Sequence, residues 1–314
     1  MRFLDKKTNF DFMGKRKIAF VLSAVLIILS IAALVTRDLN FGLDFTGGTL
    51  IEVSYPAAPE ISDVRSNLSD AGMDDAVVQT FGAATEIVVR IPPRDDEAES
   101  DAELSTIVLS ALQQGVEGEV AMRRVEFVGP QVGDELTEQG ILAVVYALIG
   151  IFLYVMIRFQ WRFSVGAVAA LVHDIIITMG VLAAVQVEFD LTVVAALLAV
   201  IGYSLNDTIV LFDRIRENFP KLRKANSLEV VNTSVNETLS RTLMTSVTTL
   251  LVLIALFIFG GEIINAFAFT LIVGVLVGTY SSIYVASTTL LELGVSKFDL
   301  LAVEKEGAEL DSMP

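Results

Sequence analysis

Six long apolar runs are the feature that most constrains how this chain can fold. They cover about residues 18–36, 139–157, 163–187, 191–212, 242–260 and 266–290. The hydrocarbon core of a bilayer needs roughly 20 mostly apolar residues per helix, and each run is close to that length. With 54% hydrophobic residues, the chain is also too apolar for an ordinary soluble domain. We therefore predict a polytopic α-helical membrane protein with six transmembrane helices, surrounded by membrane lipid.

The charges between the runs predict how the chain is oriented in the membrane. Lys and Arg resist translocation, so the loops that carry them are expected to be cytoplasmic. Six basic residues lie in 1–17 and six more in 213–241, whereas the turns near Glu188 and Glu262 have none. The first run is too long for the apolar part of a cleaved signal peptide, so we interpret it as an uncleaved anchor. We expect a multi-pass protein of the inner (plasma) membrane with both termini in the cytoplasm.

This orientation divides the chain into five parts. We predict a cytoplasmic tail at 1–17, the first transmembrane helix at 18–36, an external domain at 37–138, a five-helix transmembrane region at 139–290 and an acidic cytoplasmic tail at 291–314. The net charge of −16 argues against nucleic acid as a partner. With no Cys and a single His, the sequence predicts no disulfide, no metal site and no cofactor.

The external segment has the pattern of an α+β domain. Alternation and apolar periodicity predict strands at Thr49–Tyr55, Ala76–Phe81, Thr85–Ile91 and Glu119–Val128, with helices at Glu60–Ala71 and Glu97–Gln114. The order β-α-β-β-α-β is that of a ferredoxin-like domain. The acidic run Asp95–Glu99 is interpreted as a solvated loop and helix start. Since no nucleophile with its base is present, we expect this domain to bind or to move and not to be an enzyme.

Ionisable residues inside the apolar runs are the main functional candidates, because each costs several kcal/mol to insert into a bilayer. Asn206 and Asp207 lie in the fourth run, about six residues before its cytoplasmic end near Asp213. Arg241 opens the fifth run, so Asp207 and Arg241 enter from the same side and could form a pair. The alternative for Arg241 is an ordinary basic residue whose side chain extends to the interface.

Two further polar features leave alternatives open. His173 and Asp174 lie near the middle of the third run, where they are either a structural hydrogen-bonded pair or part of a proton path. Gly42, Gly47 and Gly48 are expected to supply permissive backbone where the chain turns into the first strand. We interpret Asp44 as a turn residue, in preference to an ion ligand.

Four motifs resemble those of the SecF family, which is part of the SecD/SecF family and the resistance-nodulation-division superfamily. The resemblance spans nearly the whole chain and is carried by GLDFTGGT at Gly42–Thr49, VGPQVGDEL at Val128–Leu136, GYSLNDTIVLFDRIREN at Gly202–Asn218 and SRTLMTS at Ser240–Ser246. It implies a protein that pairs with SecD, associates with the SecYEG channel and uses the ion gradient to help preproteins emerge. It also implies that the ion-relay acid is Asp207 and its basic partner Arg241.

Two other functions remain as alternatives. A small-molecule exporter of the same superfamily, working as a half-transporter, is one; a structural scaffold is the other. The chain has one six-span repeat with one small domain, which favours a half-transporter that needs a partner. A purely structural role would not explain why Asn206, Asp207 and Arg241 lie inside the bundle. The external domain has no lysine between Arg37 and Glu138 and is unusually acidic for the family, which leaves proton against sodium coupling open.

Overall fold

The computed structural model describes residues 8–93 and 101–296. Among these residues, six helices are long and apolar enough to cross a membrane, as the sequence predicted. In chain order the elements are α1 (Arg16–Arg37), β1 (Asn40–Phe41), α2 (Leu43–Thr46), β2 (Gly48–Ser54), α3 (Ile61–Asp70), β3 (Val77–Phe81), β4 (Ala83–Ile91), α4 (Asp101–Leu112), β5 (Ala121–Val128), α5 (Pro130–Arg158), α6 (Trp161–Val185), β6 (Glu188–Phe189), α7 (Leu191–Lys221), α8 (Ser227–Phe259), α9 (Glu262–Ser281), a π-helical turn (Ser282–Ala286) and α10 (Ser287–Glu292).

Helices α7 and α8 extend well past the apolar runs that predicted them. Helix α7 continues to Lys221 and α8 begins at Ser227, so most of 213–241 is helical. The predicted helix end near Asp213 and the predicted start at Arg241 are therefore wrong. The reason is that both helices continue as amphipathic segments, with Ile215, Phe219 and Val231 buried among polar residues, and mean hydropathy detects only the fully apolar stretch. Arg241 consequently lies well inside α8.

Helices α6 and α7 form the buried centre of the membrane region. Helix α1 packs against α6, and α9 packs against α6, α7 and α8. Glycine makes these approaches close: a Cβ at Gly180 would lie 2.2 Å from the Cβ of Ser30, and one at Gly274 would lie 2.1 Å from a methyl of Val200. Helices α1 and α5, in contrast, expose many large apolar side chains. Their outer surfaces are thus suited to lipid or to another apolar chain.

Strands β2 to β5 form a four-stranded antiparallel sheet in the order β3-β4-β2-β5. Ile51 and Val53 of β2 pack with Val64 of α3 and Val108 of α4 in one core, so both helices cover the same face of the sheet. This confirms the ferredoxin-like prediction. The predicted bounds of its strands and of its first helix differ from those observed by one or two residues at most.

Some predicted boundaries differ or fall outside the described residues. Helix α5 begins at Pro130, so residues 130–138, which the sequence assigned to the external domain, are the first turns of the second long helix. The acidic run Asp95–Glu99, the predicted helix start at Glu97 and most of the tail 291–314 lie outside the described residues.

Candidate functional site

Asp207 is a buried carboxylate on α7. Its side chain is only 4% exposed, and its Oδ2 atom has no hydrogen-bond partner among the described residues. The next residue, Thr208, is also buried, with its hydroxyl oxygen unpaired in the described part of the chain. A charged or polar group left unpaired in a low-dielectric interior is costly, and such groups are rare where function does not require them. Asp207 is therefore a candidate for binding and releasing an ion.

The other two members of the predicted relay do not share the position of Asp207. Asn206 is exposed, because neighbouring residues on a helix face different directions. Arg241 on α8 is exposed as well. Its guanidinium lies within electrostatic range of Asp207, but no ion pair joins the two among the described residues. The structure thus separates the acid, in the interior, from the base, on the outer surface of the bundle.

His173 and Asp174 form a second buried polar cluster, centred on α6. The exposed fractions of the two side chains are 3% and 1%. Nδ1 of His173 lies 3.0 Å from Oδ1 of Asp174. Oδ2 of Asp174 accepts hydrogen bonds from Ser204 of α7 at 2.6 Å and from Ser281 of α9 at 2.8 Å. Asp174 therefore joins three helices at one point.

Sequence reasoning missed the serines that complete these polar clusters. Ser204 and Ser281 are buried, and so is Ser246 of α8, which bonds Thr279 of α9 at 2.7 Å. Small hydroxyl residues are common in membrane helices, so they give little signal by themselves. The position of Ser204 three residues before Asp207 was the usable clue, since residues at this spacing lie on one face of a helix.

The glycine-rich turn is shaped by its crowding against other parts of the chain. Gly47 and Gly48 have φ angles of +67° and +111°, which only glycine adopts readily. A Cβ at Gly48 would also lie 2.3 Å from the carbonyl oxygen of Ile91. Gly42 differs, because its φ of −74° suits any residue; its constraint is space, as a Cβ would lie 3.0 Å from Glu188. The permissive-backbone explanation thus holds for two of the three glycines.

This turn also joins the external domain to the start of α7. Strand β1 pairs in parallel with β6, and the N–H of Gly42 donates to the carbonyl of Phe189 at 2.8 Å. The carboxylate of Asp44 accepts a hydrogen bond from the N–H of Leu191, the first residue of α7, at 2.9 Å. Asp44 therefore caps a helix that lies far along the chain, in addition to its place in the turn.

An ion pair strengthens the same junction. Arg90 of β4 pairs with Glu188 of β6, and its guanidinium also donates to the carbonyl of Phe41 at 3.4 Å. Burial raises the pKa of Glu188 above its ordinary value, and the Arg90 guanidinium acts in the opposite direction. The sheet of the domain is thus held to the loop between α6 and α7.

Metal binding finds no support in the described part of the chain. There, no group of three or more His, Asp or Glu side chains is placed to hold a metal ion.

The fold and these clusters define a class: polytopic membrane proteins with one six-helix bundle, one ferredoxin-like domain and acidic residues buried between the spans. A family model described as "Protein export membrane protein SecD/SecF, C-terminal" matches residues 108–296, and one for the SecD/SecF GG motif matches residues 32–55. The chain belongs to the SecD/SecF family, and within it to the SecF subunits.

Similar proteins agree with this assignment over the full length of the chain. Protein translocase subunit SecF of Vibrio alginolyticus is 55% identical, with 99% of each chain covered. The SecF subunit of Pseudomonas aeruginosa is 52% identical, with 93% of this chain and 94% of the relative covered. That of Escherichia coli O157:H7 is 45% identical, with 97% and 94% covered. These names describe a transport role, and they do not favour a small-molecule exporter.

Two crystal structures of SecDF are similar to this chain. A translocon-associated SecDF from Thermus thermophilus matches with a TM-score of 0.81 at 38% identity, over 93% of this chain and 39% of that one. SecDF in a super-membrane-facing form matches with a TM-score of 0.67, also at 38% identity, over 92% of this chain and 39% of that one. The chain thus spans well under half of either SecDF chain. Since identity and coverage agree, the different TM-scores indicate that the equivalent part is arranged differently in the two structures.

Proposed function

We propose that this chain is the SecF half of a SecDF complex, in which Asp207 carries the coupling ion and Arg241 controls its release. The observation that carries this proposal is the buried carboxylate oxygen of Asp207, which has no partner in the described part of the chain while a guanidinium lies within electrostatic range. Burial favours the neutral or ion-bound carboxylate, and an approaching guanidinium favours the free carboxylate. A relative movement of α7 and α8 would therefore switch ion binding.

The transmembrane potential is large enough to drive this switch. Moving one elementary charge through the full potential releases about 2.3 kcal/mol per 100 mV. That amount is comparable with the free-energy differences of a few kcal/mol that separate many conformational states. One ion per cycle is thus sufficient to bias a two-state movement.

Exposed groups on α7 and α8 support a membrane partner, which we take to be SecD. Small and polar residues follow one another along the exposed face of α7 at helical spacing, namely Ala195, Ala199, Gly202 and Asn206. Small residues let helices approach closely in a membrane. An exposed Arg241 would be costly against lipid, so a second bundle that covers it completes the site. This chain matches 39% of the SecDF chain, so the remainder of SecDF is long enough to contain that second bundle.

The proposal also includes the orientation of the chain in the membrane and two further partners, a preprotein and the SecYEG channel. We place the basic ends of α1, α7 and α8 in the cytoplasm and the ferredoxin-like domain outside the inner membrane. There the domain would meet a preprotein as it leaves the SecYEG channel. The junction around Gly42 and Asp44 supports a coupled movement, because it ties the domain to the start of the helix that carries Asp207. The differing arrangements of the two SecDF structures support such a movement as well.

The test is preprotein translocation into inverted membrane vesicles that contain the full complex, under an imposed proton or sodium gradient. Asp207→Asn should keep insertion and partner binding, because the amide fits the same space, but should lose the gradient-stimulated part of translocation. Arg241→Lys should lose much of the gradient-stimulated translocation, because an ammonium lacks the planar guanidinium group that can bind a carboxylate at two points. Asp213→Asn is the matched control on the same helix, since Asp213 is half exposed and pairs with Arg158 near the bundle end.

Each outcome decides one part of the proposal. Loss of stimulation in Asp207→Asn with normal stimulation in Asp213→Asn supports the relay. Normal stimulation in Asp207→Asn, at equal protein level, contradicts it. The gradient that the wild-type complex responds to identifies the coupling ion.

A further inference from the structure

The cluster around Asp174 has no part in the relay described above, although its geometry suits proton transfer. Oδ2 of Asp174 accepts hydrogen bonds from two hydroxyls, and Oδ1 shares a hydrogen bond with Nδ1 of His173. A carboxylate beside a neutral imidazole leaves one net charge inside the membrane region, whereas one added proton makes the pair neutral. Since an uncompensated charge at this depth is costly, the pair is a natural place for an exchangeable proton.

A half-open and largely apolar cavity extends from this cluster toward one end of the bundle. The cavity has a volume of about 830 Å³ and lies between α1, α6, the π-helical turn and α10. Thr288, Thr289 and Glu292 line it near the end of the last span, and His173 lines it at mid-span. Nε2 of His173, the ring nitrogen that does not face Asp174, is buried and has no hydrogen-bond partner among the described residues. The cavity thus lies beside a buried imidazole whose second nitrogen is unpaired in the described residues.

On the other side, Ser204 connects Asp174 with the helix face that carries Asp207. Ser204 donates to Oδ2 of Asp174 at 2.6 Å, and it lies three residues before Asp207 on α7. Residues at this spacing have Cβ atoms about 5–6 Å apart on one helix face. Ser204 and Asp207 are both buried, and the Oδ2 atom of Asp207 is unpaired in the described residues. Ser204, which bonds Asp174, therefore lies on the same face of α7 as Asp207.

We propose that His173 and Asp174 form a second proton-carrying site, which exchanges protons between this cavity and Asp207 through the hydroxyl of Ser204. The proposal rests on the role of Asp207 proposed above. A proton from the cavity binds Nε2 of His173, and the proton on Nδ1 passes to Oδ1 of Asp174. Rotation of the carboxyl brings this proton to Ser204, whose own hydroxyl proton moves on to Asp207. His173, Asp174 and Ser204 each end with the number of protons they had before, with His173 in its other tautomer. Asp207 gains the one proton that left the cavity, and nothing is oxidised or reduced.

The titratable groups around this site define what a pH profile reports. Tyr280 of α9 stacks on the ring of His173, with ring centroids 6.1 Å apart. Tyr284 of the π-helical turn and Glu292 of α10 line the cavity with His173. Helix α7 contributes Asp207, and α1 faces the cavity with Ser23, which bonds Tyr280 at 3.0 Å. Among side-chain types, a free imidazole is the one that titrates close to neutral pH, unlike a free carboxyl or phenol.

The experiment measures gradient-stimulated translocation by the full complex against pH for His173→Gln and Ser204→Ala. Glutamine keeps a hydrogen-bond donor for Asp174 but cannot carry a proton. Both variants should lower stimulated translocation by about tenfold or more, in line with the loss of a proton-transfer group, and His173→Gln should flatten the pH profile near neutrality. Ser282→Ala is the matched control: Ser282 is buried next to Ser281, but in the described part of the chain its hydroxyl donates only to the Thr279 carbonyl of α9, at 3.1 Å.

Infrared difference spectroscopy of the wild-type complex with isotope-labelled aspartate provides a readout that does not depend on variants. A pH change should produce the C=O band of a protonated buried carboxyl in addition to that of Asp207, which is removed separately by Asp207→Asn. Wild-type rates and pH profiles in both His173→Gln and Ser204→Ala would overturn the inference, as would the absence of the second band. If Asp207→Asn loses stimulation while these variants keep it, only the second site fails; if Asp207→Asn keeps stimulation, the proposed relay itself fails.

Discussion

Replacing Gly48 by alanine tests how the glycine-rich turn holds the external domain together. Gly48 has a φ of +111°, and a Cβ would lie 2.3 Å from the carbonyl oxygen of Ile91. Backbone strain of this kind costs about 1–3 kcal/mol for a residue other than glycine. The clash adds to it, because Ile91 pairs with Thr49 in the sheet, and a displaced carbonyl that loses its buried hydrogen bond costs about 1–3 kcal/mol more.

Gly72 offers a matched control within the same domain. Its φ is +80°, but a Cβ there would meet nothing within 4 Å. Gly72→Ala therefore has the strain without the clash, and Gly48→Ala should be the more destabilising of the two by about 2 kcal/mol, the middle of the range for the lost hydrogen bond. In a domain of about 100 residues this corresponds to a melting temperature lower by roughly 10 °C.

The assay is thermal and urea unfolding of residues 37–138, followed by circular dichroism. The isolated domain should unfold cooperatively, because the described residues of its core cluster all lie between Ile51 and Val120. Equal destabilisation by the two substitutions would refute the steric argument for Gly48. A wild-type domain without cooperative melting would refute the view that its core is self-contained, and limited proteolysis in membranes would then compare the variants.

Two further predictions concern the domain and its junction. Burial raises the pKa of Tyr55 to about 12 from 10.0, and its hydroxyl donates to the carbonyl of Leu112. Because the folded pKa is the higher one, the free energy of unfolding of the domain should fall by about 2 kcal/mol as pH rises from 10 to 12; Tyr55→Phe should remove this pH dependence in urea titrations. Asp44→Ala should remove the cap on Leu191, at a cost of about 1 kcal/mol, so the Leu191 amide should exchange its hydrogen about fivefold faster. Asp44→Asn keeps an accepting oxygen and is the control; equal exchange in the two variants would contradict the capping role.

The elements that the sequence predicted well are those with local signals. Length and hydropathy identify the six spans, and alternation with apolar periodicity gives the β-α-β-β-α-β order, because each signal lies within the element it predicts. The end of α7 after Phe212 was missed because it is amphipathic. Ile215 and Phe219 are buried there among mostly polar residues, and mean hydropathy does not detect such a pattern.

The candidate site was less predictable, because its contacts connect distant parts of the chain. Asp207 was recognisable as an acid in an apolar run, and the burial of its side chain agrees with that choice. Nothing local to Asp44 indicates a bond to Leu191, and nothing local to Asp174 indicates hydroxyls from two other helices. The exposure of Arg241 depends on how α8 is rotated in the bundle, which a single sequence does not specify.

The junction between Asp44 and the start of α7 has a mechanical consequence. Leu191, which Asp44 holds, and Asp207 lie on one continuous helix, 16 residues apart, or about 24 Å at 1.5 Å per residue. A helix of this length is stiff, so the two points behave as the ends of a rod. A force on the domain would be transmitted along the axis of α7 to Asp207 without involving the neighbouring helices. A shift of α7 along its axis would in turn move the domain by nearly the same distance.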